Sequence, residues 1–299
     1  MSTPAPGVIP QRGVGPTPIP GQPYEIAEGV LRLTAPNPSL MTGPGTNTYL
    51  VGTEQLVIID PGPDDPNHRR RIIDVVDGRP VTGIAVTHTH PDHAPGARRL
   101  AQVVGAPRLG YRSGPDFEPD RHLVDGDLFG SGHHQLRVLH TPGHASDHCC
   151  FLLISQGLLF TGDHLMEGST VVIRPPDGSV GDYLASLERL VELDPPLQAL
   201  APGHGRVVAD PIEAITEVIE HRLAREELIL PALRDAAPAS AASLRETVYP
   251  GLEKARHDIA TATLWGHLQH LTDLGRVRRL AAEGREPDIA DLFAPMLES

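Results

Sequence analysis

Four side chains able to bind a metal ion crowd into the run Thr87-His88-Thr89-His90-Pro91-Asp92-His93. His88 and His90 occupy alternate positions, so both imidazoles can grip one cation from an extended backbone, while Asp92 and His93 point towards a second. Two centres need further ligands, and the chain offers them in a repeated context. An apolar strand, a short Gly/Pro turn and then a His or Asp recur at Thr141-Pro142-Gly143-His144, Thr161-Gly162-Asp163 and Ala201-Pro202-Gly203-His204. Alone, each would read as a turn or capping residue. Together with residues 88–93 they make a metal site the better reading. His88, His90 and His144 give three nitrogens to one metal, Asp92, His93 and His204 serve the other, and Asp163 bridges the two through its carboxylate oxygens. Each metal keeps a position for a shared water, whose pKa falls from ~15.7 towards roughly 7 on binding. Such a centre suits hydrolysis, with Asp92 or Asp163 steering the water's proton.

Other residues near these motifs have weaker claims. Asp60 closes a strand at Asp60-Pro61-Gly62 and reads as a turn-shaping residue rather than a ligand. His148 either orients a ligand or is a satisfied structural histidine. His164 either faces the cleft or points into packing. Tyr183 and Ser169 are substrate-contact candidates by position alone.

The elements around the motifs follow from apolar periodicity. Ile84-Ala85-Val86 reads as a buried strand, and Pro91 keeps His90 out of the helical region, so the metal cluster sits on a loop at a strand's end. In open layers of helices on sheets, ligands collect there because side chains converge without disturbing the packed sheet. Gly29–Leu33 alternates as a strand, and Thr46–Val51 and Leu56–Asp60 form a hairpin. Further strands are expected at Gln135–His140, Cys149–Ile154, Leu158–Phe160 and Leu197–Leu200, with a hairpin over Leu123–Phe129 around Asp125-Gly126-Asp127. Helical spacing marks Asn67–Asp77, Pro95–Val104 and Tyr183–Leu193. Residues 165–180 read as a loop.

The chain has 299 residues, enough for one large domain or two smaller ones, and a net charge of −13 that opposes nonspecific affinity for nucleic acid. Its 25 basic residues include a single lysine, Lys254, a coding bias with little functional content. No apolar run reaches the length of a membrane-spanning helix, and the N-terminus lacks the pattern of a secretory signal. Cys149 and Cys150 are neighbours in a strand and point to opposite faces, so both are expected buried and reduced in a cytoplasmic protein. Residues 1–23, with prolines at 4, 6, 10, 16, 18, 20 and 23, form an extended arm without a core of its own.

The ordered set His88-x-His90-x-Asp92-His93, then His144, Asp163 and His204, resembles the signature of the metallo-β-lactamase superfamily, and Asp60 matches its structural aspartate. The resemblance covers 24–208 and implies an αββα sandwich with two metals at one edge of its sheets, zinc by default, with iron or manganese suiting the same donors. It is specific for fold and site and poorly specific for substrate. Gly45–Val51, Thr141–His148 and Gly162-Asp163 are similar to the subfamily with a C-terminal winged helix, which includes a mitochondrial endoribonuclease. Hydroxyacylglutathione hydrolases share the metal motifs. True metallo-β-lactamases carry Cys or Ser where this chain has Asp163, and diiron flavoproteins carry Glu in place of His90, so both fit less well.

Residues 211–299 read as a second, mainly helical module beside a catalytic domain over 24–210. Ile212–Leu230 is a long helix ended by Pro231, Leu244–Val248 a short one, and Ile259–Leu274 a third closed by Gly275. Val277–Leu280 suits the first strand of a wing bearing Arg276, Arg278 and Arg279. From 211 onward there are 10 Lys/Arg against 15 Asp/Glu, which favours a solvated face over a nucleic-acid surface. The module is expected to pack on the metal domain and wall the cleft. The expected activity is hydrolysis of a small acyl ester, thioester or lactone, the alternative being cleavage of single-stranded RNA. A regulatory binding module is third, because it would need a damaged metal set. RNA binding would weaken steeply with salt, unlike binding of a small neutral ester.

Overall fold

The computed structural model describes residues 9–281 and 284–296. The first eight residues of the expected arm lie outside it. The rest of the arm contributes β1 (Gly13–Val14), and Arg12 clasps Glu217, with Nε 2.9 Å from Oε2. The first sheet then forms from β2 (Pro23–Ala27), β3 (Val30–Thr34), β4 (Asn47–Val51), β5 (Leu56–Ile59), β6 (Val81–Ala85), β7 (Arg108–Gly110) and β8 (Arg121–His122), side by side in that order. Helices α1 (Pro66–Val76) and α2 (Gly96–Val104) interrupt the run. The second sheet holds β9 (Leu128–Phe129), β10 (Leu136–His140), β11 (Cys149–Leu153), β12 (Leu158–Gly162), β13 (Ala199–Pro202) and β14 (Val207–Val208), which pairs with β1. Helix α3 (Val180–Val191) precedes β13, capped by the Ser179 hydroxyl, which accepts from the Asp182 amide.

Strand alternation sorts the apolar residues into layers. In β11, Cys149, Phe151 and Leu153 enter the core between the sheets, while Cys150 and Leu152 face outward under α3. In β4 and β5, Tyr49, Val51, Val57 and Ile59 face inward, and Leu50, Leu56 and Ile58 meet Ile72 of α1 and Leu100 of α2 on the outer face. Because both faces of each sheet are covered, these strands read as unbroken apolar runs. The order of layers is helix, sheet, sheet, helix, as expected. The two cysteines are free and buried on opposite faces, also as expected.

Two expectations about elements need correction. Leu123–Phe129 is not a hairpin. Arg121–His122 pairs with β7 in the first sheet and Leu128–Phe129 with β10 in the second, so the turn at Gly126 (φ 85°) carries the chain between sheets. Buried Leu123 fixes that crossing by joining the inter-sheet core. Pro231 does not end its helix either: α4 runs Pro211–Ala236 straight through it. The proline forfeits one helical hydrogen bond at roughly 3 kcal/mol, and burial of Ile229, Leu230 and Leu233, worth about 1.5–3 kcal/mol each, outweighs that. Val277–Leu280 does form a strand, and it opens an antiparallel pair with Leu292–Pro295, while a two-residue strand that the sequence did not announce joins the same sheet. After α4 come β15 (Ala239–Ser240), α5 (Ala241–Val248), α6 (His257–Asp273), β16 (Val277–Leu280) and β17 (Leu292–Pro295), with β17 between β15 and β16. A strand as short as β15 leaves no alternation to read.

Helix α4 serves two cores. Ile215 and Val218 pack beneath the second sheet with α3, and Ile229 and Leu233 pack with α5 and α6. Glu226, between these stretches, lies 2.7 Å from His270 Nδ1 and 3.2 Å from His267 Nδ1 on α6. Burial alone would raise its pKa, but hydrogen bonds from the two histidines win and pull it from 4.5 to about 2. A depressed carboxylate stabilises the fold above its unfolded pKa and loses that contribution as pH falls through its folded one. Glu226→Gln is therefore expected to cost on the order of 1–3 kcal/mol at neutral pH. In urea titrations, its deficit against the native protein should close as pH drops from 4.5 towards 2; a pH-independent gap would contradict this tie.

Candidate metal centre

Strand ends place every predicted ligand on one edge of the sandwich. His88 follows β6, His144 follows β10, Asp163 follows β12 and His204 follows β13. The Cys149 amide donates to Thr87 O at 2.8 Å, and the Gly203 amide to Gly162 O at 2.8 Å, so the loops are laced across both sheets. The ligand atoms converge into two groups, His88/His90/His144/Asp163 and Asp92/His93/Asp163/His204, within each of which the atoms lie no more than 4.8 Å apart. Asp163 belongs to both. Its Oδ2 is 4.0 Å from His88 Nε2 and 3.7 Å from His144 Nε2, while its Oδ1 is 3.3 Å from His93 Nε2 and 3.2 Å from His204 Nε2. Asp92 Oδ2 completes the second group, 3.6 Å from His93 Nε2 and 3.3 Å from His204 Nε2.

The other ring nitrogens are committed elsewhere, and that commitment sets which nitrogen faces inward. The Asp60 carboxylate accepts from the Thr87 amide and hydroxyl, each at 2.8 Å, and from His93 Nδ1 at 2.8 Å. Thr87 has spent its only hydroxyl proton, so His88 Nδ1, 3.0 Å away, must be the donor to that oxygen. His144 Nδ1 donates to Val172 O at 2.7 Å and His204 Nδ1 to Gly45 O at 3.2 Å. Each of these four histidines thus presents a bare Nε2 to the centre. His90 meets them with Nδ1, 2.9 Å from both His88 Nε2 and His144 Nε2.

Nitrogens and carboxylate oxygens gathered this closely need positive charge among them. His93 Nε2 and Asp163 Oδ1 are buried and form no hydrogen bond with any described group. Without a cation, protons would have to supply the charge. Burial pushes His204 down, but Asp163 and Asp92 override it and lift its pKa to about 9. Burial likewise opposes charge on His93, and Asp163, Asp60 and Asp92 together raise it well above its ordinary range. Burial would raise Asp92, yet His93 and His204 draw it down to about 2. His88 moves the other way, lowered by burial and by the neighbouring His93 and His148. The donor set, its two halves and its orphaned buried atoms fit two divalent cations.

The sequence missed several supporting residues. Thr87 relays Asp60 to His88, and Asp147 accepts from the Thr89 amide at 3.1 Å. Asn47 donates to Pro202 O and Gly205 O at 3.0 and 2.9 Å, tying β4 to the His204 turn. Arg222 of α4, buried at 1% exposure, donates to Val171 O beside the carbonyl that fixes His144, and its guanidinium lies 5.2 Å from the centre of the Tyr183 ring. Only contact across distant segments reveals these roles. Of the two readings of His148, the contacts favour orientation: its Nε2 accepts from the Asp163 amide at 3.2 Å. His164 points into packing, fully buried. Tyr183 is buried too, donating to His164 O at 2.6 Å, so it cannot touch substrate and that expectation is corrected. Ser169 does line the cleft. Gly203 has a specific reason: a Cβ there would sit 2.8 Å from His93 Cε1 and 2.9 Å from Asp163 Oδ1.

The centre forms the floor of a cleft of about 860 Å³. Leu40, Met41, Met166, Val172, Pro175 and Ile259 give it largely apolar walls. Ile259 and Arg256 come from the C-terminal region, which therefore closes one side, as the sequence led us to expect.

Residues 41–204 match the family model described as the metallo-beta-lactamase superfamily. The chain belongs to this superfamily, and it is a metal-dependent hydrolase. Among relatives, it is 33% identical over 222 residues to a beta-lactamase-like protein 2 homolog of Drosophila melanogaster, covering 69% of this chain and 74% of that one. It is 35% identical over 224 residues to an atrochrysone carboxyl ACP thioesterase of Aspergillus chevalieri, covering 72% and 69%. A lactamase-like protein of Pestalotiopsis microspora is 32% identical, but the match spans only 65% of its length. In fold, the protein is similar to a beta-lactamase domain protein from Burkholderia ambifaria, with TM-score 0.77 and 24% identity over 93% of this chain and 95% of that one. That span includes the C-terminal region.

Removing the carboxylate of Asp60 should free the His93 ring and Thr87 without touching an inward-facing ligand atom. Loss of such a supporting partner typically costs 10–100-fold in metal affinity. Competition with a chromophoric chelator should show this loss in Asp60→Ala with the fold intact by circular dichroism; unchanged affinity would contradict the role assigned to Asp60.

Proposed function

We infer that the protein is a dinuclear hydrolase acting on acyl thioesters, with activated esters and lactones as chemically related substrates. The observation that carries this reading is the placement of two ligand groups sharing Asp163 on the floor of an apolar-walled cleft. Bound cations, zinc by default and iron or manganese with the same donors, would supply Lewis acidity and lower the pKa of a water from ~15.7 towards roughly 7. His88, His90 and His144 would hold one ion, Asp92, His93 and His204 the other, and Asp163 both. Asp92 is ionised across the neutral range and, with its side chain 27% exposed, is the carboxylate that can receive a proton at the cleft floor. The apolar walls would seat the acyl chain and exclude bulk water. Hydrolysis then breaks the acyl C–S bond, forms a C–O bond to water's oxygen, and leaves the thiol with a proton. The thioesterase named among the relatives supports the substrate class.

The C-terminal region, helix–strand–helix–helix–strand–strand, is read as a winged helix. The alternative, cleavage of single-stranded RNA, would use its arginines. Two of the three are neutralised: Arg276 pairs with Glu227 at 3.3 Å and Arg279 with Asp291 at 3.2 Å. That observation favours the small acyl substrate and a wall-forming role. The free, buried cysteines support a cytoplasmic setting.

A panel of acyl thioesters, lactones and single-stranded RNA decides the matter. Metal-dependent thioester turnover is expected, abolished by chelator and reduced at least about a hundredfold in Asp163→Ala. RNA cleavage with a steep salt dependence, and no thioester turnover, would overturn the assignment.

A further inference from the structure

Two arginines of this acidic chain are set apart by where they lie. Arg174, on the loop before α3, and Arg256, on the turn before α6, both line the metal-floored cleft. Neither makes an ion pair or a side-chain hydrogen bond among the described residues, and both are exposed. Many other guanidinium groups have carboxylate partners, such as Arg69 with Asp64, Arg108 with Asp120, Arg189 with Asp125 and Arg206 with Glu167, and of the arginines without one among the described residues these two line the cleft. The acid nearest in sequence to Arg174, Asp177, is already taken, accepting from Arg112 Nη2 at 2.9 Å and from the Ser146 hydroxyl at 2.6 Å. The other cleft carboxylates, Asp92 and Asp163, belong to the ligand groups.

An unpaired arginine is a forked donor suited to phosphate oxygens, and two on separate segments of one cleft can hold one anion between them. A net charge of −13 repels an anionic substrate, so such a substrate needs local positive charge where it enters. Apolar walls and two unpartnered arginines in one cleft describe a ligand with an apolar stretch and a phosphate. We propose that Arg174 and Arg256 bind the phosphate of a 4′-phosphopantetheine arm, making the substrates thioesters of that arm rather than of simple thiols. This rests on the thioester reading above. The same phosphate occurs in coenzyme A and on acyl carrier proteins.

The test compares two thioesters of one acyl group, on 4′-phosphopantetheine and on pantetheine lacking the phosphate. The metal-loaded protein should favour the phosphorylated substrate by about tenfold or more in kcat/KM, as one charge-assisted contact of about 1.5 kcal/mol implies. That preference should weaken with salt and fall to near unity in the Arg174→Gln/Arg256→Gln double variant. Calorimetry gives a readout without turnover: S-methyl-4′-phosphopantetheine, a thioether that cannot be hydrolysed, should bind the native protein and bind the double variant at least tenfold more weakly. Equal kcat/KM on the two thioesters, or a preference that survives in the double variant, overturns the proposal. Turnover of neither thioester alongside intact, arginine-dependent binding would sink the thioester reading and leave the phosphate site standing. Acyl-coenzyme A against the same acyl group on a carrier protein identifies the source, and a preference of either over the pantetheine thioester supports the site.

Discussion

A carboxylate placed between two sets of imidazoles is the constraint on which the rest of the molecule depends. Asp163 directs one oxygen to His88 and His144 and the other to His93 and His204, all at 3.2–4.0 Å. Such a group is stable inside a protein only if positive charge sits among its members. The molecule supplies protons when nothing else is present, which is why His93 and His204 are driven upward while Asp163 and Asp92 are driven down. A cation competes for those same nitrogens, so metal binding and proton release are one process.

The sandwich around this group is a device for bringing strand ends together. Parallel pairing of β5 with β6 places Asp60 beside the strand feeding the His88 loop, and parallel pairing of β12 with β13 puts Asp163 beside the turn to His204. Asn47 and Tyr49, in the first sheet, both reach the Pro202 carbonyl in the second, the tyrosine donating at 2.7 Å. The inter-sheet core and the centre are thus positioned by the same strands, and a shift of either sheet would open the ligand set. The C-terminal helices take part as well. Arg222 reaches from α4 to the segment that orients His144, so this region does more than cover the cleft.

Much of this was legible in the sequence because residue type and local context carried it. A run such as His88 to His93 states its chemistry directly, and the recurrent strand–turn–ligand pattern announced His144, Asp163 and His204. Long apolar runs identified the strands buried on both faces, and Gly275 marked a helix end, whereas the Ser179 cap lay inside a stretch read as loop. What stayed hidden depended on contacts between segments far apart in the chain. Two-residue strands such as β1, β14 and β15 exist only through their partners. Pro231 carried a true local signal that tertiary burial overrode. Gly126 carried one as well, since it does turn the chain, but a turn cannot say which sheet receives the next strand. Tyr183 sat in the right stretch of sequence, and its helix turned it inward.

Two cations held by seven side chains are the proposed centre, and counting metal against protein tests it most directly. Elemental analysis of folded protein purified without chelator should return about two divalent ions per chain, and at most one in Asp163→Ala. A folded, chelator-free protein carrying no metal, or an Asp163→Ala variant that keeps both ions, would contradict it.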